Sequence, residues 1–260
     1  MIAYAFATIL MTVVWMTIIY LNETRNLLSC DHFPTVRMKL FGYFWMGLFL
    51  LLLGVLVASA AKNPAHASDL ARTPFYALFS LHLILVMFLI GWWIATARPP
   101  LREFFNIQRE HQGEAVLTGL AVGVGGWIFT IVVALLIAAI LNYAGLINNP
   151  KPSPVIGFMA ALPAWKKALL VLSAMTVEEA FFRAWMQKRI GLVASTTLFA
   201  MAHFTLGQPL LLIGVFVISL VIGFTFYRTK NMLPGVVAHG VFDAVQLFVI
   251  IPIAFKVAGI

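Results

Sequence analysis

The chain has 260 residues, of which 62% are hydrophobic and 10% are charged, and its mean hydropathy is +0.99. A soluble domain carries about 25% charged residues, so this composition excludes an ordinary soluble protein and indicates a polytopic membrane protein. The net charge of +8 is interpreted as loop residues that obey the positive-inside rule, and no nucleic-acid binding is predicted. The single cysteine, Cys30, excludes an intrachain disulfide.

Apolar runs of 18 or more residues mark membrane helices. The first run lacks a basic region before it and is too long for a signal peptide, so it predicts a retained helix. The fold is therefore predicted to be all-α, a multi-pass integral membrane protein with about eight transmembrane helices, located in the cell membrane if the organism is prokaryotic. The predicted helices cover residues 2–21, 41–61, 75–97, 116–143, 164–189, 191–206, 209–228 and 232–255.

A proline-rich stretch, residues 148–163, resembles a linker. It divides the chain into four N-terminal helices, residues 1–147, and a C-terminal unit, residues 160–255. The basic residues predict that the loops after the first, third, fifth and seventh helices share the cytoplasmic side. Gly119 and Gly123 form a GxxxG pattern, which predicts close packing of the fourth helix on a neighbour. A homodimer through this pattern is kept as an alternative.

Ionisable residues inside the predicted helices are the main functional signal, because each costs roughly 2.5–3.5 kcal/mol at the centre of a membrane helix. The C-terminal unit contains Glu178, Glu179, Arg183, His203, His239 and Asp243 in three helices. The N-terminal helices contain His82, which is expected to hydrogen-bond to a neighbouring helix and is given no catalytic role.

The helical rise of 1.5 Å per residue brings these groups to one depth. Glu178, His203 and Asp243 lie roughly 16–18 Å from the predicted cytoplasmic ends of their helices, near the middle of a core about 30 Å thick. Glu179 and Arg183 are four residues apart and can pair on one helix face. That pairing would leave Glu178 free for another partner, although spacing alone allows the two glutamates to exchange roles.

Three short segments together resemble a known family. EEAFFR (178–183), FAMAH (199–203) and HGVFD (239–243) are similar to the EExxxR, FxxxH and HxxxN/D motifs of the CPBP family, the CAAX protease and bacteriocin-processing proteins, also called Abi. The resemblance covers about residues 160–250. It identifies residues 160–255 as a CPBP-like catalytic core.

The resemblance implies an intramembrane endopeptidase, a peptide hydrolase, that acts on a membrane-associated or lipidated peptide or protein in the lipid bilayer. Carried over residue by residue, Glu178 would be the general base that activates water, with help from His203. Glu179 and Arg183 would form a supporting pair, and His239 with residue 243 would stabilise the oxyanion. Chemically, a positioned glutamate suits a base, and a histidine donor suits a developing oxyanion.

One position departs from the prenyl-protein endopeptidases of this family. They have Asn where this chain has Asp243, and an ionised aspartate cannot donate a hydrogen bond to an oxyanion. The side chain of Asp243 could instead orient His239, be protonated or bind a cation. This departure puts the oxyanion role of residue 243, and a CAAX substrate, in doubt.

A metal and two other functions remain open. His203, His239 and Glu178 could form a three-ligand Zn²⁺ site with an open position, which would make the protein a metalloprotease. HExxH is absent from the sequence and an activated water needs no metal, so no cofactor is predicted with certainty. A proton-coupled transporter would explain membrane acids, but no second cluster or repeat supports it. A non-proteolytic scaffold or immunity protein of the same family is the other alternative.

Overall fold

The computed structural model describes residues 2–62, 67–146, 154–204 and 209–258. Within these ranges every regular element is helical and no strand occurs. The prediction of an all-α membrane protein is therefore confirmed.

The N-terminal half contains three long helices and one of intermediate length, with short helical turns between them. A 3₁₀ turn, Phe75–Phe79, leads directly into the fourth helix of the series. The helices are α1 (Ile2–Arg25), α2 (Val36–Lys62), α3 (Ala67–Arg72), α4 (Ser80–Ala95), α5 (Leu101–Phe104) and α6 (Gln112–Tyr143).

The C-terminal half contains α-helices interrupted by π-helical turns. Two such turns, Ala174–Glu178 and Ala180–Gln187, follow one another, and we call residues 174–187 the π segment. A third, Gln246–Ile250, precedes the last helix. The helices are α7 (Pro154–Ala161), α8 (Ala164–Ser173), α9 (Lys188–Ala202), α10 (Pro209–Thr229), α11 (Met232–Val245) and α12 (Ile251–Ala258).

Slightly fewer spanning helices than the predicted number of about eight are found in the described residues. In the described residues six helices are long and apolar enough to cross a membrane, and a seventh span is possible if α7 and residues 164–202, which meet at a bend of 119°, count together. The predicted helix 191–206 is only the second limb of α9. Gly191 turns the chain there with φ of +81°, and the limb from Gly191 to Ala202 reaches roughly 18 Å, too short for a core of about 30 Å.

The proline-rich stretch is only partly a linker. Residues 148–153, with Pro150 and Pro152, lie outside the described residues. The rest of the stretch forms α7, which begins at Pro154, where a proline at a helix start loses no hydrogen bond. The division into two units at this point stays a prediction.

Four polar segments meet at one end of the helix bundle. Arg189 forms an ion pair with Asp31 from the α1–α2 loop. The Lys188 ammonium lies 2.6 Å from the side-chain oxygen of Asn106, in the loop after α5, and the Met232 amide donates to the Asn106 carbonyl at 2.9 Å. These are the segments whose basic residues predict a common side of the membrane.

Aromatic packing joins the N-terminal half to the π segment. Phe88 and Trp92 of α4 pack edge-on against Trp185, with ring centroids 4.7 and 5.3 Å away. Phe181 stacks on Trp185 at 5.3 Å and contacts Phe49 of α2 at 5.4 Å. Such pairs contribute about 0.5–1.5 kcal/mol each beyond area burial, so this core fixes the level of α4 against the π segment.

The glycine pattern of α6 packs against α11. A Cβ on Gly119 would lie 2.6 Å from the Val237 Cβ, and one on Gly123 would lie 2.7 Å from the Val241 Cβ. The close helix packing predicted for these glycines is confirmed. Because the chain itself covers this face, a homodimer would have to use another surface.

Candidate active site

The two glutamates lie where the helix is wound as a π-helix. Glu178 is the last residue of the first π turn, and Glu179 precedes the second. A π-helix closes its hydrogen bonds from i to i+5 and often occurs at functional sites. Its extra residue per turn changes the direction of every following side chain relative to an α-helix.

Glu179 is the buried centre of an ion-pair network. Its Oε2 accepts from Arg183 Nε at 3.1 Å, and neither side chain is exposed. Its Oε1 accepts from His239 Nδ1 at 3.0 Å. Arg183 Nη2 also donates to Ser219 Oγ of α10 at 3.0 Å. The predicted Glu179–Arg183 contact is therefore present, and it connects three helical segments.

A glycine of α11 allows this network to form. A Cβ on Gly235 would lie 2.9 Å from Glu179 Oε2, which is tighter than side chains tolerate next to a fixed carboxylate. Asn231 begins the helix as its N-cap, with the side chain accepting from the Leu233 amide. The cap and the glycine together bring His239 to Glu179.

Glu178 has two different environments at its two oxygens. Oε1 lies 3.0 Å from His82 Nε2 of α4. Oε2 lies 3.9 Å from His203 Nε2, beyond direct hydrogen-bond distance, and it is buried with no hydrogen-bond partner among the described residues. The carboxylate is thus held by one oxygen and presents the other towards His203.

His203 follows the last residue of α9 and is oriented by its own helix. Its Nδ1 lies 2.9 Å from the Phe199 carbonyl, and because a carbonyl only accepts, Nδ1 carries the proton. In the neutral ring Nε2 is then an acceptor, on the side of Glu178. The Phe199 ring lies against both histidines, with centroids 4.7 Å from His203 and 5.9 Å from His239.

His239 lies between two carboxylates. Nδ1 contacts Glu179 at 3.0 Å, and Nε2 lies 3.4 Å from Asp243 Oδ2. The Asp243 side chain is 26% exposed, whereas that of His239 is 7% exposed. With both carboxylates ionised, both ring nitrogens donate, which gives the ring a positive charge. The Asp243 contact is long and therefore weak.

The predicted zinc ligands do not fit one ion in this arrangement. In the described part of the chain, no group of three or more His, Cys, Asp or Glu side chains is arranged to hold a metal. His203 faces Glu178, but the two nitrogens of His239 contact Glu179 and Asp243.

All six predicted site residues lie in this region, and sequence reasoning missed three further contributors. His82 does bond to a neighbouring helix as expected, but its partner is Glu178. Its depth was a usable signal, because it lies roughly 20 Å from the Ala95 end of α4, close to the level of Glu178. Ser173, whose Oγ lies 2.7 Å from His82 Nδ1, and Ser219 had no distinguishing signal, since hydroxyls are common in membrane helices.

Comparison with known proteins adds one finding. Residues 160–245 match the family described as type II CAAX prenyl endopeptidase Rce1-like, which is about a third of the chain. No curated protein and no solved structure matches the chain significantly. The matched segment contains the π segment, His203 and His239. The match supports, in general terms, an endopeptidase of the CAAX-protease type, and together with the long apolar helices it indicates an integral membrane protein.

Proposed function

We propose, from the match of residues 160–245 to the Rce1-like family of type II CAAX prenyl endopeptidases, that this protein hydrolyses a peptide bond of a membrane-associated, lipidated substrate with water activated by Glu178. The observation that carries the proposal is the pair of facing acceptors in the buried site. Glu178 Oε2 and His203 Nε2 lie 3.9 Å apart, a separation that one water admitted to the site would bridge with two hydrogen bonds of roughly 2.8 Å.

The distribution of contacts favours Glu178 over Glu179 as the base. Both oxygens of Glu179 already accept from cationic donors, Arg183 and His239. Glu178 has one oxygen without a protein partner. A base needs a free lone pair within reach of the proton that it removes, and Glu178 meets this condition.

The reaction follows from these positions. The water donates one proton towards Glu178 Oε2 and the other towards His203 Nε2, so that a lone pair of its oxygen is directed at the scissile carbonyl carbon. Attack forms the C–O bond, moves the water proton to Glu178 and leaves a tetrahedral oxyanion. Collapse of the oxyanion breaks the C–N bond, and protonated Glu178 returns the proton to the leaving amine.

His239 supplies positive charge for the oxyanion. Its Nε2–H contacts Asp243 at 3.4 Å, so an incoming oxyanion competes with a long, weak hydrogen bond. Glu179 holds the opposite side of the ring at 3.0 Å and keeps its orientation fixed. A preorganised donor of this kind contributes through electrostatics in a water-poor site. In this scheme Asp243 orients His239 in the resting state and does not itself donate to the oxyanion.

An apolar cavity beside the site fits the lipid part of such a substrate. It has a volume of about 280 Å³ and lies between α4, α5 and the π segment. Its wall includes Val86, Leu89 and Trp93 of α4 and, next to the glutamates, Val177 and Ala180. A carbon chain in this cavity would lie on the same stretch of helix as the base.

The direct test uses the purified protein in lipid nanodiscs and a farnesylated peptide that ends in a C-a-a-X sequence, with a quenched fluorophore across the bond. Glu178→Ala should reduce kcat by about 10²–10⁴-fold, the range for a general base, with unchanged thermal unfolding. Full cleavage by this variant would contradict the proposal. Proton flux in proteoliposomes would instead favour a transporter, and full biological function of Glu178→Ala would favour a scaffold.

The native substrate can be sought in parallel by proteomics. In native membranes, Glu178→Ala should cause at least one membrane peptide to accumulate uncut relative to wild type. If the two membrane proteomes are identical under conditions of expression, the protein has no peptide substrate there.

The cavity is tested by filling it. Val86→Phe should raise KM for the farnesylated peptide several-fold and change kcat little, because the bulky ring occupies space that the lipid chain needs while the catalytic groups stay in place. The matched control is Leu83→Phe on the same helix, where the side chain is 61% exposed and outside the cavity lining. Equal KM values for the two variants would exclude this cavity as the lipid site.

A further inference from the structure

Among the residues that the structure describes, His82 is the one ionisable residue of the N-terminal membrane helices that contacts a candidate catalytic group, and it lies outside the matched segment 160–245. Its Nε2 is 3.0 Å from Glu178 Oε1, and its Nδ1 is 2.7 Å from Ser173 Oγ. The side chains of His82 and Glu178 are only 13% and 10% exposed. The described residues thus form a chain from Ser173 through His82 to Glu178.

The direction of these hydrogen bonds follows from the chemistry of the groups. An ionised carboxylate only accepts, so Nε2 of His82 donates to Glu178. A neutral imidazole then has its lone pair on Nδ1, and the hydroxyl of Ser173 can donate to it. The chain can therefore form with an uncharged His82, and the Glu178 carboxylate selects the tautomer that has its proton on Nε2, while the hydroxyl of Ser173 rotates to complete the chain.

Packing holds His82 at this level from both sides. The ring of Phe79, one turn earlier on the same helical stretch, lies 6.4 Å from it. Further along α4, Phe88 and Trp92 are locked against Trp185 of the π segment. The depth of His82 relative to Glu178 is thus fixed by an aromatic core and not by the hydrogen bond alone.

We propose that His82 is a positioning residue for the reaction, which rests on the proposed function of Glu178 as the base. By holding Oε1, His82 prevents rotation of the carboxylate and leaves Oε2 directed towards the water site and His203. Without it, either oxygen could turn away from His203 or towards the cationic network around Glu179. The same helix α4 also lines the apolar cavity, so one element positions the base and contacts the substrate.

The test compares kcat and KM of His82→Ala, His82→Gln and Ser173→Ala with wild type, using the farnesylated C-a-a-X peptide in nanodiscs. His82→Ala should lower kcat by about 10- to 100-fold, as for residues that orient a reacting group, with KM unchanged. His82→Gln should recover much of kcat, because its amide can accept from Ser173 and donate to Glu178. Ser173→Ala should lower kcat less than His82→Ala.

Two controls separate this role from general structural support. Leu83→Ala, on the same helix at a position 61% exposed, should keep wild-type kcat. If His82→Ala lost activity only in proportion to its loss of folded protein, or if His82→Gln were no better than His82→Ala, the positioning role would be wrong.

The outcomes also separate this inference from the proposed function. If Glu178→Ala is inactive while His82→Ala has wild-type kcat, the inference fails and the function stands. If Glu178→Ala is active, the function fails. A readout that needs no substrate is the ¹⁵N spectrum of His82 in histidine-labelled protein: a protonated Nε2 with an unprotonated Nδ1 is expected, and a protonated Nδ1 in the neutral ring would overturn the proposed chain.

Discussion

Two arginines on one helical stretch have buried side chains and each pairs with a carboxylate, but their surroundings differ. Arg189, at the polar end of the bundle, bonds to both oxygens of Asp31, and Trp92 donates to the same carboxylate at 3.0 Å. Its guanidinium also lies 4.6 Å from the Trp185 ring centroid. Arg183, deeper in the π segment, is fully buried, and its Nη1 has no hydrogen-bond partner among the described residues.

Under the proposed function, the difference separates a purely structural pair from one that supports the active site. In the Asp31–Arg189 pair each guanidinium nitrogen has a hydrogen-bond partner, and the pair fastens the α1–α2 loop to the start of α9. In the Glu179–Arg183 pair the carboxylate is shared with His239. Buried polar atoms without a hydrogen-bond partner among the described residues lie in the same stretch of helix, and Glu178 Oε2 is one of them. Native proteins keep few buried polar atoms unsatisfied, and a catalytic role is one of the reasons for keeping them.

Removing the deeper arginine should have the largest effect on stability. Arg183→Met leaves Glu179 in a fully buried position without its main cation, and breaking a buried pair in this way costs about 3–5 kcal/mol. Thermal unfolding in nanodiscs should fall strongly, and the remaining folded protein should be inactive.

The control for this prediction is the double variant Glu179→Gln with Arg183→Met. It removes both charges and should recover most of the stability without restoring cleavage. If Arg183→Met unfolds at the same temperature as wild type, the Glu179–Arg183 pair does not stabilise the fold, and the expected ranking of the two arginine pairs by stability is wrong.

Weakening the Asp31–Arg189 pair should lower the stability less than Arg183→Met does, and it should leave the specific activity unchanged. Asp31→Asn keeps one oxygen for Trp92 but loses the charge that faces Arg189, at a site where the Asp31 side chain is 4% exposed. A loss of about 1–3 kcal/mol is expected for a buried hydrogen-bonding group left poorly satisfied. Specific activity, corrected for folded protein by size-exclusion chromatography, should equal that of wild type; a lower kcat would show that this end also supports catalysis.

The smallest change is expected from Asp243→Asn at the site itself. It removes a carboxylate that faces His239 Nε2 at 3.4 Å and introduces an amide that can donate to an oxyanion. We expect a several-fold increase in kcat for the farnesylated peptide, below the factor of about 10²–10³ associated with a fully aligned oxyanion donor. A large loss of kcat would mean that orientation of His239 by Asp243 is essential to the reaction.

Helical periodicity predicted part of the site well. The pairs Glu179–Arg183 and His239–Asp243 lie four residues apart and do contact each other, at 3.1 and 3.4 Å. Depth along each helix also predicted that Glu178 and His203 would meet. The two contacts between residues four apart follow from the period of a single helix. The common depth of Glu178 and His203 follows from the helical rise, together with the cost of leaving an ionisable group alone in lipid.

The same reasoning could not predict the number of spans or the shape of α9. An apolar run gives a length but not a turn, and the backbone at Gly191, with φ of +81°, ends one limb and begins another that is too short to cross. The π-helical winding around Glu178 was also hidden, since nothing in the local residue pattern distinguishes it from an α-helix.

The sequence by itself determined that this is an all-α membrane protein with motif-bearing acids, histidines and an arginine at one depth, because charge in lipid and helical geometry act along each helix separately. Tertiary structure alone decided which helices are lateral neighbours. The glycines of α6 pack against α11, and the aromatic side chains of α4 pack against the π segment. This packing between distant parts of the chain brings His82 to one oxygen of Glu178 and leaves the other oxygen facing His203. The two carboxylate oxygens of Glu178 are chemically equivalent in the unfolded chain, and only tertiary packing gives them different neighbours.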